Sequence, residues 1–357
     1  MFTDDDLQSA VASGALSAEA ADAFRAHTAQ RHHMALGDEE HFRLVTGFND
    51  IFVTIAAVMI LVAMAGIGQV FTPRLEGPPP FSGVLVAGAA WTMAELFTRK
   101  RRMALPSIVL LLAFVGGVFA AGIGFSAMIV DLSQENERAA ALLGAGSGVI
   151  AAAAAWVHWR RFMVPITVAA GAAALSVTAL AIAAAVIGPD AVTPAALMTL
   201  VFIAGLTLFA FAMRWDISDR ARQTRRSDVA FWLHLLAAPM IAHPLFHWLG
   251  VTGGQSIGVG SVVGVLAVYV ALGIVALAID RRALLVSALA YVLAALTWLF
   301  DRFGAVELNI ALTALVIGSA LLTLSAFWTP IRRAVVGMLP GSLQARVPAA
   351  GVLMPAT

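Results

Sequence analysis

Three of the chain's eight histidines fall between Phe231 and Trp248, in the stretch FWLHLLAAPMIAHPLFHW. His243 and His247 are four apart and so share a helix face. That spacing can ligate one metal ion, with Asp301 or Glu307 completing the shell, although HPLFH lacks the glutamate of an HExxH site. The alternative has His247 hydrogen-bonding beside Trp248 and His243 filling a bend. His234 stands nine residues before His243, about 180° around an unbroken helix. It shares its depth with Glu95, in WTMAELFTR, and the two could relay or couple a proton, with Asp50 and Asp228 near the same end. A static Glu95–His234 pair, or an i,i+4 pair of Glu95 with Arg99, is the plainer reading. Asp50 and Asp228 read more simply as helix-end acids. Pro239 and Pro244 cannot donate to the carbonyls of Leu235 and Met240, so the helix is expected to break there and line a cavity. No cofactor is expected. Cysteine is absent, which removes thiolate sites, and three histidines on one helix cannot clasp a haem between facing helices.

These residues must be held by membrane-spanning helices. The chain has 357 residues, 61% of them hydrophobic and only 12% charged, too few charges to cover a soluble surface of that size. Ten segments are long and apolar enough to cross a bilayer: 48–71, 80–98, 104–130, 138–157, 162–188, 193–213, 228–250, 256–279, 283–302 and 307–329. With the N-terminus placed in the cytosol, all but Arg74, Arg138 and Arg302 of the 22 lysines and arginines fall on the cytosolic side. An all-α bundle of ten spans follows, with both termini cytoplasmic and His234 inward of the midplane from His243 and His247. Trp156, Trp159, Trp215 and Trp328 sit at inner ends and Trp248 near an outer one, as interfacial anchors do. The stretches RRMALPSIVL, RRFMVPITVA and RRALLVSALA each open a hairpin, which raises the question of internal duplication. Gly144 with Gly148, and Gly260 with Gly264, have the spacing that lets helices approach closely.

Outside the spans, residues 1–46 read as a cytosolic helical hairpin: a first helix closed by Gly14, then a second capped by Ser17. It suits a cytosolic partner. Residues 47–333 form the bundle and 334–357 a short cytosolic tail. Five arginines in 214–226 could bind anionic lipid, or simply anchor topology. The acidic N-terminus shows no cleavable signal peptide. A net charge of +1 without a basic stripe points away from nucleic acid. No phosphate loop, nucleophile elbow or paired-carboxylate motif marks an enzyme.

The run LQSAVASGALSAEAADAF, followed by alanine-rich spans in charged hairpins, resembles a loose group of uncharacterised bacterial multi-pass inner-membrane proteins with a short cytosolic helical hairpin. That resemblance implies a bacterial cytoplasmic membrane. Ten spans with both ends inside is also similar to the drug/metabolite transporter superfamily in span number and orientation. Three functions remain open: a secondary transporter or permease for a small solute; a non-transporting scaffold, assembly factor or sensor; and an intramembrane metalloprotein using His243 and His247.

Overall fold

The computed structural model describes residues 10–11, 13–14, 16–21, 23–24, 48–71, 78–129, 137–188, 191–220, 222, 224–252, 258–302 and 308–348, without the side chains of Ile129 and Asp301. The chain divides into two units, Met1–Phe42 with Ala349–Thr357, and Arg43–Pro348. In the first, Gly14 adopts φ +74°, and the Ser17 side chain accepts from the Ala20 amide at 3.1 Å, as expected of a helix stop followed by a cap. Ala21 is buried there, while Phe24 is exposed.

The second unit is built from helices joined by turns, with no strand among the described residues. Ten helices can cross a membrane: α1 (Phe48–Val70), α2 (Pro80–Ala94, continued by a π-helical turn to Lys100), α3 (Ala104–Ile129), α4 (Glu137–Phe162), α5 (Ile166–Ile187), α6 (Pro194–Ser218), α7 (Arg225–Trp248), α8 (Val259–Ile279), α9 (Ala283–Arg302) and α10 (Asn309–Ala326). Each expected span therefore exists as one helix. The tenth ends earlier than its apolar run suggested. The helix stops at Phe327, and a separate amphipathic helix, α11 (Trp328–Met338), buries Trp328, Arg332 and Val336. A four-residue turn, α12 (Gly341–Gln344), follows. The tail beyond residue 333 is thus ordered helix up to Met338.

Helix starts follow local chemistry. Pro80 and Pro194 occupy first-turn positions, where a missing amide hydrogen costs nothing. Thr193 accepts from the Ala196 amide and Thr224 from the Arg226 amide. Packing is sequential, from α1 to α5, and α5 then meets α7. α7 also packs on α6 and α9, and α9 on α8 and α10. Within its membrane window α7 is 56% buried, against 11% for α5 and α10, so it is the most buried of the ten spans. Small residues allow this closeness. A Cβ on Gly83 would lie 2.5 Å from the Gly117 carbonyl oxygen, and one on Gly205 would lie 2.9 Å from the Met240 carbonyl carbon. Gly148 packs on Thr178 as its spacing suggested, whereas Gly260 faces open space.

The turns α2–α3, α4–α5, α6–α7 and α8–α9 lie at one end of the bundle, which carries most of the arginines. Each contains one non-glycine residue in the left-handed region: Arg102, Met163, Arg222 and Asp280, with φ between 52° and 57°. Such residues cost roughly 1–2 kcal/mol apiece. At Arg222 and Asp280 the surroundings hold them in place, because the Arg222 guanidinium donates to the Asp280 carboxylate at 2.8 Å and to the backbone carbonyls of Ile279 and Asp280.

Candidate functional site

Along α6 the buried stripe runs Gly205, Leu208, Ala212 and then Asp216. Along α7 it runs Phe246, Ala242, Ala238, Ala237 and then His234 and Leu233. Toward the arginine-rich end the α6 seam therefore reaches a carboxylate, and the α7 seam reaches an imidazole before continuing through Leu233, Ala230 and Val229. Helical side chains lean toward their own N-terminus, and in antiparallel neighbours those leans converge. His234 Nε2 accordingly lies 2.8 Å from Asp216 Oδ2, eighteen residues away in sequence. Arg281 enters from the α8–α9 turn and donates through one terminal nitrogen to Asp216 Oδ1 at 2.6 Å. The same nitrogen donates to the Ser227 carbonyl at 3.1 Å. Asp216 and His234 are each 1% exposed and Arg281 is 2% exposed.

An ionised carboxylate only accepts hydrogen bonds, so the neutral imidazole carries its proton on Nε2 and donates it to Asp216. His234 Nδ1 is then the basic atom. It is buried, and it makes no hydrogen bond among the described residues. Phe209 meets the ring edge-on, with centroids 5.2 Å apart. With a neutral imidazole, Asp216 and Arg281 balance each other. A proton on Nδ1 leaves the trio with one uncompensated positive charge, costly in a site removed from water. Nearby, Arg222 is paired with Asp280, and the Asp219 carboxylate holds the Thr224 amide and hydroxyl.

His234 does not meet Glu95. The Glu95 carboxylate instead takes a two-bond clasp from Arg161 of α4, at 2.7 and 3.0 Å, and a third bond from Arg99 at 3.2 Å. The proton-coupling pair expected from depth is therefore not formed, and the i,i+4 alternative is. Asp50 is buried in the first turn of α1, and Asp228 lies in the first turn of α7. Pro239 and Pro244 lie inside α7, which continues as one helix from Arg225 to Trp248. The break expected there does not end the helix. Gly205 brings α6 close to the Met240 carbonyl that Pro244 leaves without its amide donor. Pro239 and Leu235, whose carbonyl Pro239 frees, both lie on an exposed face.

At the other end His243 Nδ1 lies 2.5 Å from the Tyr291 hydroxyl, and Tyr291 stacks on Phe246. His247 Nδ1 lies 2.8 Å from the Thr252 hydroxyl. Among the described residues no three His, Asp or Glu side chains gather as metal ligands. Glu307 and the Asp301 side chain, which were to complete that shell, lie outside the described residues.

Two other clusters escaped the sequence reading. His158 is fully buried among Trp91, Phe114 and Phe162, with Nδ1 3.3 Å from the Thr167 hydroxyl. Asp280 accepts from the Trp328 indole at 2.8 Å, and Arg282 lies over that indole ring at 4.7 Å. From the α6–α7 turn Arg220 donates to the Val347 carbonyl at 3.1 Å, while Arg332 donates to the Pro348 carbonyl at 2.7 Å. These bonds fasten the tail to the arginine-rich end. No protein-family model, no curated protein and no solved structure matches this chain.

Proposed function

We propose that this integral membrane protein is a proton-linked secondary transporter or permease for a small solute. Its arginine-rich end would face the cytosol of a bacterial cytoplasmic membrane, and the Asp216–His234–Arg281 group would be the proton-responsive element. The supporting observation is that this trio is built against the most buried span, α7, where the Nδ1 of His234 makes no hydrogen bond among the described residues. Ionisable groups are expensive between membrane helices, and a histidine changes charge near neutral pH. Protonation of Nδ1 upsets a balanced pair, and a shift of α7 against α6 or the α8–α9 turn relieves it. That is the coupling a proton-driven carrier needs. The trio takes over the role first assigned to Glu95 with His234. Glu95, Asp50 and Asp228 then serve the scaffold.

A second reading, a scaffold or sensor whose residues 1–46 meet a cytosolic partner, is favoured by one observation. The trio is tightly hydrogen-bonded and α7 densely packed, as a static pin would be. Proteoliposomes loaded with a pH-sensitive dye separate the two when challenged in turn with pools of amino acids, amines, sugars and organic acids. The transport reading expects at least one pool to move protons with the wild type and none with a folded His234→Gln variant. If no pool does so, and hydrogen exchange in α7 is the same at about pH 5 and pH 8, the scaffold reading stands instead.

A further inference from the structure

A cleft of about 540 Å³ opens at the arginine-rich ends of α4, α6 and α7. Trp159, Met163, Trp215 and Val229 form its apolar walls, and Arg225 and Arg226 line it as well. We propose that this cleft binds the headgroup of an anionic glycerophospholipid, with the two guanidinium groups on its phosphate and the tryptophans against the glycerol and upper acyl chain.

The assignment rests on which polar groups are already engaged. Of the five arginines between 214 and 226, Arg220 is committed to the tail and Arg222 to Asp280. Arg225 and Arg226 are exposed, and their side chains make no ion pair or hydrogen bond among the described residues. The other polar groups at the cleft are taken. The Ser218 hydroxyl donates to the Trp215 carbonyl, and the Thr224 hydroxyl donates to Asp219. The first amides of α7 are also occupied, since Arg226 N donates to the Thr224 hydroxyl and Ser227 N to the Thr224 carbonyl. An anion must therefore be held by the arginines. Asp228, in the same turn, does not line the cleft. The indole N–H groups of Trp159 and Trp215 make no hydrogen bond among the described residues, which leaves them for ester carbonyls at the interface. A site combining two exposed arginines, neither in an ion pair or side-chain hydrogen bond among the described residues, with two interfacial tryptophans at the end of membrane spans complements a lipid better than a soluble anion, which would leave the apolar walls bare.

The test is native mass spectrometry and thermal melting of the full-length protein in a neutral detergent. Phosphatidylglycerol, phosphatidylcholine and inorganic phosphate are each added separately. The wild type should retain phosphatidylglycerol and melt higher with it, and should respond to neither of the others. The Arg225→Gln/Arg226→Gln variant should bind it about 30-fold more weakly, at roughly fivefold per basic residue near a membrane surface. Arg101→Gln/Arg102→Gln, at the same end but away from the cleft, should bind as the wild type does. Equal binding of phosphatidylcholine overturns the proposal, as does an equal shift with phosphate or full retention by the first variant. Should that variant not fold, the selectivity of the wild type between the two lipids and phosphate still decides.

Discussion

At the scale of single residues, the decisive difference is between two carboxylates. Asp216 is buried with a guanidinium and an imidazole, whereas the Glu95 side chain is 31% exposed. Arg281→Met strands Asp216 and should cost about 3–5 kcal/mol, the range for breaking a buried ion pair. A denaturant titration in mixed micelles would measure it. Replacing all three by apolar residues of similar size should cost far less, because no charge is then left unpaired. Glu95→Gln removes a partly hydrated clasp, and its melting curve should overlay the wild type's. Depth along a span was readable in the sequence, since it needs only a residue count. Lateral neighbours were not: Glu95 and His234 match in depth yet sit on different helix pairs. Asp216 was hidden because the apolar run of its span fades at 213. Its one signal was position, four residues after Ala212 and eight after Leu208, which continues their stripe.

At the scale of elements, all ten spans were legible because hydropathy is local and the arginine asymmetry checks it. What hydropathy could not show is how the helices end. The repeated RR openings illustrate this. Arg101 and Arg102 lie in a turn, Arg160 and Arg161 close α4, and Arg281 and Arg282 follow a left-handed Asp280. The three pairs occupy different registers, so their likeness reflects charge placement and gives no support to duplication. Contact between elements gives a further test. Gly205→Leu would drive a side chain into the Met240 backbone, and about 1–3 kcal/mol should be lost. Gly88→Ala, with nothing within 4 Å of the added carbon, should leave stability unchanged in the same titration.

At the scale of the whole molecule, stability is unevenly spread: apolar clusters pack along α7, while few residues of α1, α5 and α10 are fully buried. The arginine-rich end is held by polar contacts joining distant parts of the chain. Deleting everything from Gly341 onward removes the acceptors of Arg220 at Gln344 and Val347 and of Arg332 at Pro348. The shortened protein should melt several degrees lower, and limited proteolysis should cut first near 219–224. The same clasp has a consequence for the order of events during synthesis. Arg220 leaves the ribosome long before its partner carbonyls exist, so the α6–α7 turn waits through four further spans and the amphipathic α11 with its guanidinium still to reach them. Residues translated only after all ten spans are the ones that close it. A stalled or prematurely terminated chain would therefore carry a visible flaw at that turn, available for a quality-control protease to read.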